Sequence, residues 1–97
     1  MDIRHDPNRR RFLVEVPGGT AELGYRPVDA HTVDLVHTEV PDAAAGQGIA
    51  GKLAQAAFTW ARESGTKLVV TCPFVQEWLE RHPSERDLVS PRPGGGG

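Results

Sequence analysis

Along residues 11–16 the side chains alternate, with Phe12, Val14 and Val16 on one side and Leu13 and Glu15 on the other. A period of two predicts a β-strand. Pro17-Gly18-Gly19 then turns the chain, because proline and glycine supply the backbone angles that tight turns need. Residues 20–26 predict a second strand, with Ala21, Leu23 and Tyr25 on one face. After the connection Pro27-Val28-Asp29-Ala30, residues 31–40 predict a third strand. Its alternation puts Val33 and Leu35 on one face and Val36 and Val40 on the other. Three short strands with tight connections predict an antiparallel meander. The period then changes. Ile49, Leu53, Ala56, Ala57, Trp60 and Ala61 recur at helical spacing over residues 48–64, and Gly65 stands where a helix C-cap glycine belongs. Residues 67–72 are apolar and β-branched and predict a buried strand. Pro73 opens a second helix, as proline favours the first helical position. Phe74, Val75, Trp78, Leu79 and His82 share one face of it, and His82-Pro83 ends it. The order is β-β-β-α-β-α. The strand–helix–strand unit requires a crossover connection, so the fold class is α/β (α+β) with a mixed, mostly antiparallel sheet.

Length limits this to one domain: 97 residues suit a single compact unit. The domain is expected over residues 1–89, and the Pro/Gly-rich stretch 90–97 is expected to be a disordered tail. Apolar residues make up 38% and charged residues 25%, the balance of an ordinary globular domain. The net charge is −2 and the one basic run is Arg9-Arg10-Arg11, which argues against nucleic acid as a partner. Cys72 is the single cysteine, so an internal disulfide and a multi-cysteine zinc site are excluded. No apolar run approaches the ~18 residues needed to cross a bilayer, and Met1-Asp2-Ile3-Arg4-His5 lacks the apolar core of a signal peptide. A cytoplasmic protein with no membrane partner is expected.

The junction between the third strand and the first helix carries the most chemistry. It reads His37-Thr38-Glu39-Val40-Pro41-Asp42-Ala43-Ala44-Ala45-Gly46-Gln47-Gly48-Ile49-Ala50-Gly51-Lys52. The first N–H groups of a helix lack internal partners and the helix dipole is positive there. Glycines allow a phosphate to approach such a backbone closely. Gly48 is followed by Ile49-Ala50 rather than Lys-Ser/Thr, so this is no P-loop. The preceding meander excludes a Rossmann unit.

Val40-Pro41, then Ala45-Gly46-Gln47-Gly48-Ile49-Ala50, then a helix carrying Leu53 and Ala57 resembles motif A of the GNAT acetyltransferase superfamily, usually written Gln/Arg-x-x-Gly-x-Gly/Ala. Gly48 and Ala50 match, whereas Ala45 departs from the first position and leaves only backbone donors there. His37-Thr38-Glu39-Val40-Pro41, Cys72-Pro73-Phe74-Val75, Arg81-His82-Pro83 and Leu88-Val89 extend the likeness to a small single-domain subfamily of N-acetyltransferases over about residues 8–89. The resemblance implies a minimal GNAT-like fold and acetyl-CoA as cosubstrate, with no metal. It also implies transfer of acetyl to an amine acceptor, a small amine or a protein lysine, by direct attack in a ternary complex. The pyrophosphate of CoA would lie on the backbone of Gly46, Gln47, Gly48, Ile49 and Ala50, and the pantetheine arm along the backbone of Glu39 and Val40, with Phe74 also at the cofactor. Ordinary members carry an additional N-terminal helical region that helps to form the acceptor site. This chain has only about ten residues before its first predicted strand, so its acceptor site is expected to be open or completed by a partner, a second copy of the chain being one candidate.

Acetyl transfer to an amine needs a base for the amine proton, a donor for the thioester oxygen and an acid for the departing thiolate. Many family members use a tyrosine on the last helix as the acid. Here the sole tyrosine, Tyr25, lies in the second strand, and Trp78 on the helix cannot serve. Cys72, at a strand end with a helix start beyond it, is the candidate acid, with a nucleophilic role the less economical alternative; a buried, inert cysteine is the plain structural reading. His37 and Glu39 stand two apart on a strand and are expected to share the face of Val33 and Leu35, as a base and its orienting carboxylate or as a cross-strand polar pair. A zinc site from His37, Glu39 and Cys72 is the weakest option. His5 is expected in a loose end, His82 as a helix cap, and Lys52 as a phosphate contact or a solvated side chain. Two other functions stay open: a CoA-binding module without chemistry, and an interaction domain without cofactor.

Overall fold

The computed structural model describes residues 2–90, so nearly all of the tail expected over 90–97 lies outside the described residues. Five strands form one sheet in chain order: β1 (Arg4–Asp6), β2 (Arg11–Val16), β3 (Gly19–Asp29), β4 (Thr32–Glu39) and β5 (Lys67–Val70). Neighbours are antiparallel from β1 to β4, and β5 runs parallel to β4. Helix α1 (Ile49–Ser64) makes the crossover between β4 and β5, and α2 (Pro73–Arg81) follows β5. Short 3-10 turns occupy Asp42–Ala44 and Pro83–Leu88. The mixed, mostly antiparallel sheet is as the sequence pattern predicts, with the strand β1 added.

That strand corrects the expectation of a loose N-terminal end. His5 pairs with Phe12 across the sheet and stacks on its ring at 4.3 Å, and its edge meets Trp60 of α1. Its Nε2 lies 2.6 Å from the Tyr25 hydroxyl. Burial pushes the imidazole pKa below its ordinary value, with nearby Asp6 opposing, so the neutral ring is the form that fits.

Both helices cover the same face of the sheet. Phe12, Val14, Ala21, Leu23, Val33, Leu35, Leu68 and Val70 from the strands meet Ile49, Leu53, Ala57 and Phe58 of α1 and Val75, Trp78 and Leu79 of α2 in one core. Leu23, Leu35, Leu53 and Phe58 are fully buried, each contributing about 1.5–3 kcal/mol by leaving water. Gly65 caps α1 in the left-handed conformation, with φ 72°, and donates its N–H to Ala61, as expected for a C-cap. Arg62 of α1 clamps the second 3-10 turn through Asp87 and Glu85. No helix among the described residues is long and apolar enough to cross a membrane.

One irregularity decides which side chains reach which face. Tyr25 pairs with Leu35, but the next residue back, Gly24, pairs with His37. Val36 is therefore an extra residue in β4, a bulge that reverses the inside–outside alternation beyond it. Leu23 is in the core and pairs with Thr38, so Thr38 faces the helices, and Val40 packs against the core. His37 and Glu39 come out on the opposite, helix-free face. The expectation that they continue the face of Val33 and Leu35 is thus incorrect, as is the placement of Val40 opposite that face. A strict period of two cannot survive an inserted residue.

Candidate functional site

Pairing of β4 with β5 ends at Leu35 opposite Val70. There Thr71 and Cys72 both donate their N–H groups to the Leu35 carbonyl, at 3.0 and 2.9 Å, which closes the ladder and turns β5 into α2. Beyond that point the β5-side edge of β4 has no strand beside it among the described residues. β5 ends at Val70 and its continuation turns into α2, while β4 runs on to Glu39, so the two segments splay apart.

On the helix side the gap opens into a groove of about 730 Å³. Its lining includes Val40, Gly46, Gly48, Ile49, Ala50 and Phe74 of the residues expected to hold the cofactor. Ala44, Ala45, Gly51, Lys52, Gln55, Trp78, Arg81 and His82 complete it. Gln47 is exposed outside the lining, and Glu39 is on the other face of the sheet. Gly46 and Gly48 adopt φ 82° and 72°, angles that L side chains avoid. Gly48 is the N-cap of α1 and no side chain caps it. The first intrahelical bond runs from the Lys52 N–H to the Gly48 carbonyl, so the N–H groups of Ile49, Ala50 and Gly51 carry no helical partner. Lys52 and Arg81 add positive charge at the rim, Arg81 being paired with Glu77 at 3.0 Å. His82 caps α2, with its Nδ1 2.9 Å from the Trp78 carbonyl and its ring stacked on Trp78 at 4.1 Å. Unpaired N–H groups, cationic side chains at the rim and apolar walls suit the groove to an anion.

Cys72 lies in the core beside the splay and is not among the residues lining the groove. It is the N-cap of α2 and only 3% exposed. Its Sγ lies 3.4 Å from Thr38 Oγ1, a contact across the gap between the strands. Thr38 was not singled out by the sequence; its approach to Cys72 depends on the bulge.

On the opposite face, His37 and Glu39 are brought together with Glu22, and one ligand-type atom of each lies within 4.8 Å of the others. Cys72 does not join them. Glu22 Oε1 accepts from Arg11 at 2.6 Å and its Oε2 lies 3.1 Å from His37 Nε2. The Arg11 hydrogen bond, followed by that of His37, holds the Glu22 carboxyl below its ordinary pKa. With a guanidinium already on Glu22, the arrangement is a charge-compensated histidine–carboxylate pair. Glu22 and Arg11 lie on β3 and β2, too far along the chain for spacing to associate them with His37. Asp34 is buried on this face, accepting from Thr71 at 2.8 Å and Arg26 at 3.4 Å, while its Oδ1 has no partner. Tyr25 faces the helices and directs its hydroxyl to His5.

A glycine-lined groove where two parallel strands part, under a crossover helix, is the architecture of an N-acetyltransferase fold. The chain belongs to the GCN5-related N-acetyl-transferase family, whose model matches residues 11–88. Protein NATD1 of Xenopus tropicalis is 41% identical over 93 residues, spanning 94% of this chain and 85% of that one. Protein NATD1 of Homo sapiens is 40% identical over 93 residues, 94% of this chain and 82% of its own. A GCN5-like protein of Staphylococcus aureus, solved in solution by NMR, superposes with a TM-score of 0.71 at 28% identity, covering 99% of this chain and 96% of that one. Family, relatives and fold agree on an N-acetyltransferase domain.

Proposed function

We propose that the chain transfers acetyl from acetyl-CoA to an amine, a small amine or a protein lysine, by direct attack in a ternary complex. The observation that carries this reading is the splay beyond Leu35 and Val70, with an anion groove on one face and an imidazole on the other. Pyrophosphate binds the free N–H groups at the start of α1, and the pantetheine arm runs into the splay along the unpaired edge of β4. The thioester then lies near Cys72, and the acceptor approaches from the helix-free face. The amine nitrogen forms its bond to the carbonyl carbon and passes a proton to His37. Backbone N–H groups at the splay stabilise the oxygen as charge develops. The C–S bond breaks and the CoA thiolate leaves with the Cys72 thiol proton, which solvent restores to Cys72 once CoA has left.

Gly48→Val tests the cofactor placement. Nothing lies within 4 Å of a Cβ added at Gly48, so the new side chain occupies groove space without a clash inside the protein. Its positive φ costs about 1–2 kcal/mol, which a thermal melt measures. Calorimetry should show acetyl-CoA affinity at least tenfold lower in the folded variant. Unchanged affinity would falsify the placement. Thiol release with a panel of amines distinguishes a transferase from a CoA-binding module without chemistry.

A further inference from the structure

The helix-free face presents two rows of side chains that cross three strands. Arg11, Gly24 and His37 are successive cross-strand partners in one row, and Leu13, Glu22 and Glu39 in the next. Gly24 has no side chain to separate Arg11 from His37, and the imidazole lies down in that space. A Cβ built at Gly24 would come 2.5 Å from His37 Cε1, 3.0 Å from Nδ1 and 3.1 Å from Nε2. From this seat His37 reaches Glu22 in the neighbouring row, while Arg11 reaches the same carboxylate from the other side.

The three groups are unequal. The Glu22 and Arg11 side chains are 21% and 24% exposed, whereas His37 is 52% exposed. The carboxylate is therefore the sheltered, doubly held member and the imidazole the one that meets solvent. An ionised carboxylate only accepts hydrogen bonds. A neutral imidazole carries one proton, so a bond from Nε2 to Glu22 fixes that proton on Nε2 and leaves the lone pair on Nδ1.

We propose that Glu22 is a positioning residue of the acetyl transfer, anchored by Arg11, that holds His37 on its Gly24 seat with Nδ1 as the proton-accepting atom. This rests on the reading of His37 as the base. As the amine nitrogen bonds to the thioester carbon, its proton passes to Nδ1. The resulting imidazolium keeps its Nε2–H on the Glu22 carboxylate, and the exposed ring returns the proton to water after CoA leaves.

Two measurements on the full chain test this. Long-range 1H–15N spectra of uniformly labelled protein, with His37 assigned by its loss in His37→Gln, read the tautomer directly. The wild type should show a protonated Nε2 and a bare Nδ1, and Glu22→Ala a mixture of the two forms. Thiol release should show kcat for Glu22→Ala reduced about 10–100-fold, with KM for acetyl-CoA unchanged because the groove is on the other face. Glu22→Gln, which keeps the shape and loses the charge, should fall between and guards against misfolding in the alanine variant. An Nδ1–H tautomer in the wild type, or an unaltered tautomer in Glu22→Ala, overturns the proposal. So does full activity of Glu22→Ala beside an inactive His37→Gln. Full activity of His37→Gln would instead remove the base itself, and the catalytic role of Glu22 with it.

Discussion

Replacing Gly24 by alanine displaces His37 from its seat on the sheet without touching the groove on the other face. The three atoms nearest to a Cβ at Gly24 all belong to the His37 ring, at 2.5–3.1 Å. No backbone atom is among them, so the half-exposed ring yields and the strand stays. Two terms set the effect on stability. An interior strand glycine is worth roughly 0.5–1 kcal/mol less than alanine, which favours the variant. Losing the partly exposed contact with Glu22 costs ~0–1 kcal/mol, which opposes it. The net change stays within about 1 kcal/mol of zero, a shift of at most ~8 °C in Tm for a domain of this size. The effect on rate is larger, because removing a positioned base typically costs ~100-fold or more. Urea unfolding and thiol release on the same preparation measure both, and calorimetry should show acetyl-CoA binding unchanged. A Gly24→Ala protein that is folded and fully active would refute the argument that His37 acts from this seat. A loss of more than about 2 kcal/mol would show that the sheet, and not the ring, gave way.

Two further outcomes are expected. Cys72→Ser should retain measurable activity, since direct attack leaves the base and the backbone donors in place; intact-mass spectrometry after incubation with acetyl-CoA alone should show no stoichiometric acetyl adduct at Cys72, and such an adduct, discharged by adding amine, would establish a nucleophile instead. His5 makes stability depend on pH: its folded pKa lies below the unfolded value because of burial, so the unfolded chain binds more protons and stability falls as pH drops through the region of 6.5 toward the folded pKa, then levels. A His5→Gln variant should lose that part of the slope, and Tm against pH for the two proteins checks it.

The sequence pattern carried most of the architecture. The change of period at Gly48, the cap at Gly65 and the proline at Pro73 each correspond to a local physical preference, and each element they mark is present. The groove was legible for the same reason, as a helix start with glycines is a short-range feature. What escaped was non-local. β1 spans three residues with polar neighbours on both sides of His5, and its pairing with β2 and the ring cluster with Phe12, Tyr25 and Trp60 hold it in place. The bulge at Val36 left one trace, the apolar doublet Leu35-Val36 followed by a hydrophobic phase moved from odd to even positions, ending at Val40. Read as a phase shift, that doublet separates His37 and Glu39 from the core. Glu22 gave no sign, because its role depends on a pairing register that only the assembled sheet fixes.

The strands follow one another across the sheet in the order in which the chain presents them. Each antiparallel pair can close through a short turn, at small entropic cost. The parallel pair is different: Leu35 must find Val70 only after the whole of α1 has been laid between them. That seam is the most expensive closure in the domain and also the place where the groove ends. A molecule bound across it would act as a clasp on the one long-range closure of the sheet, and its occupancy would raise the stability of the whole domain by mass action.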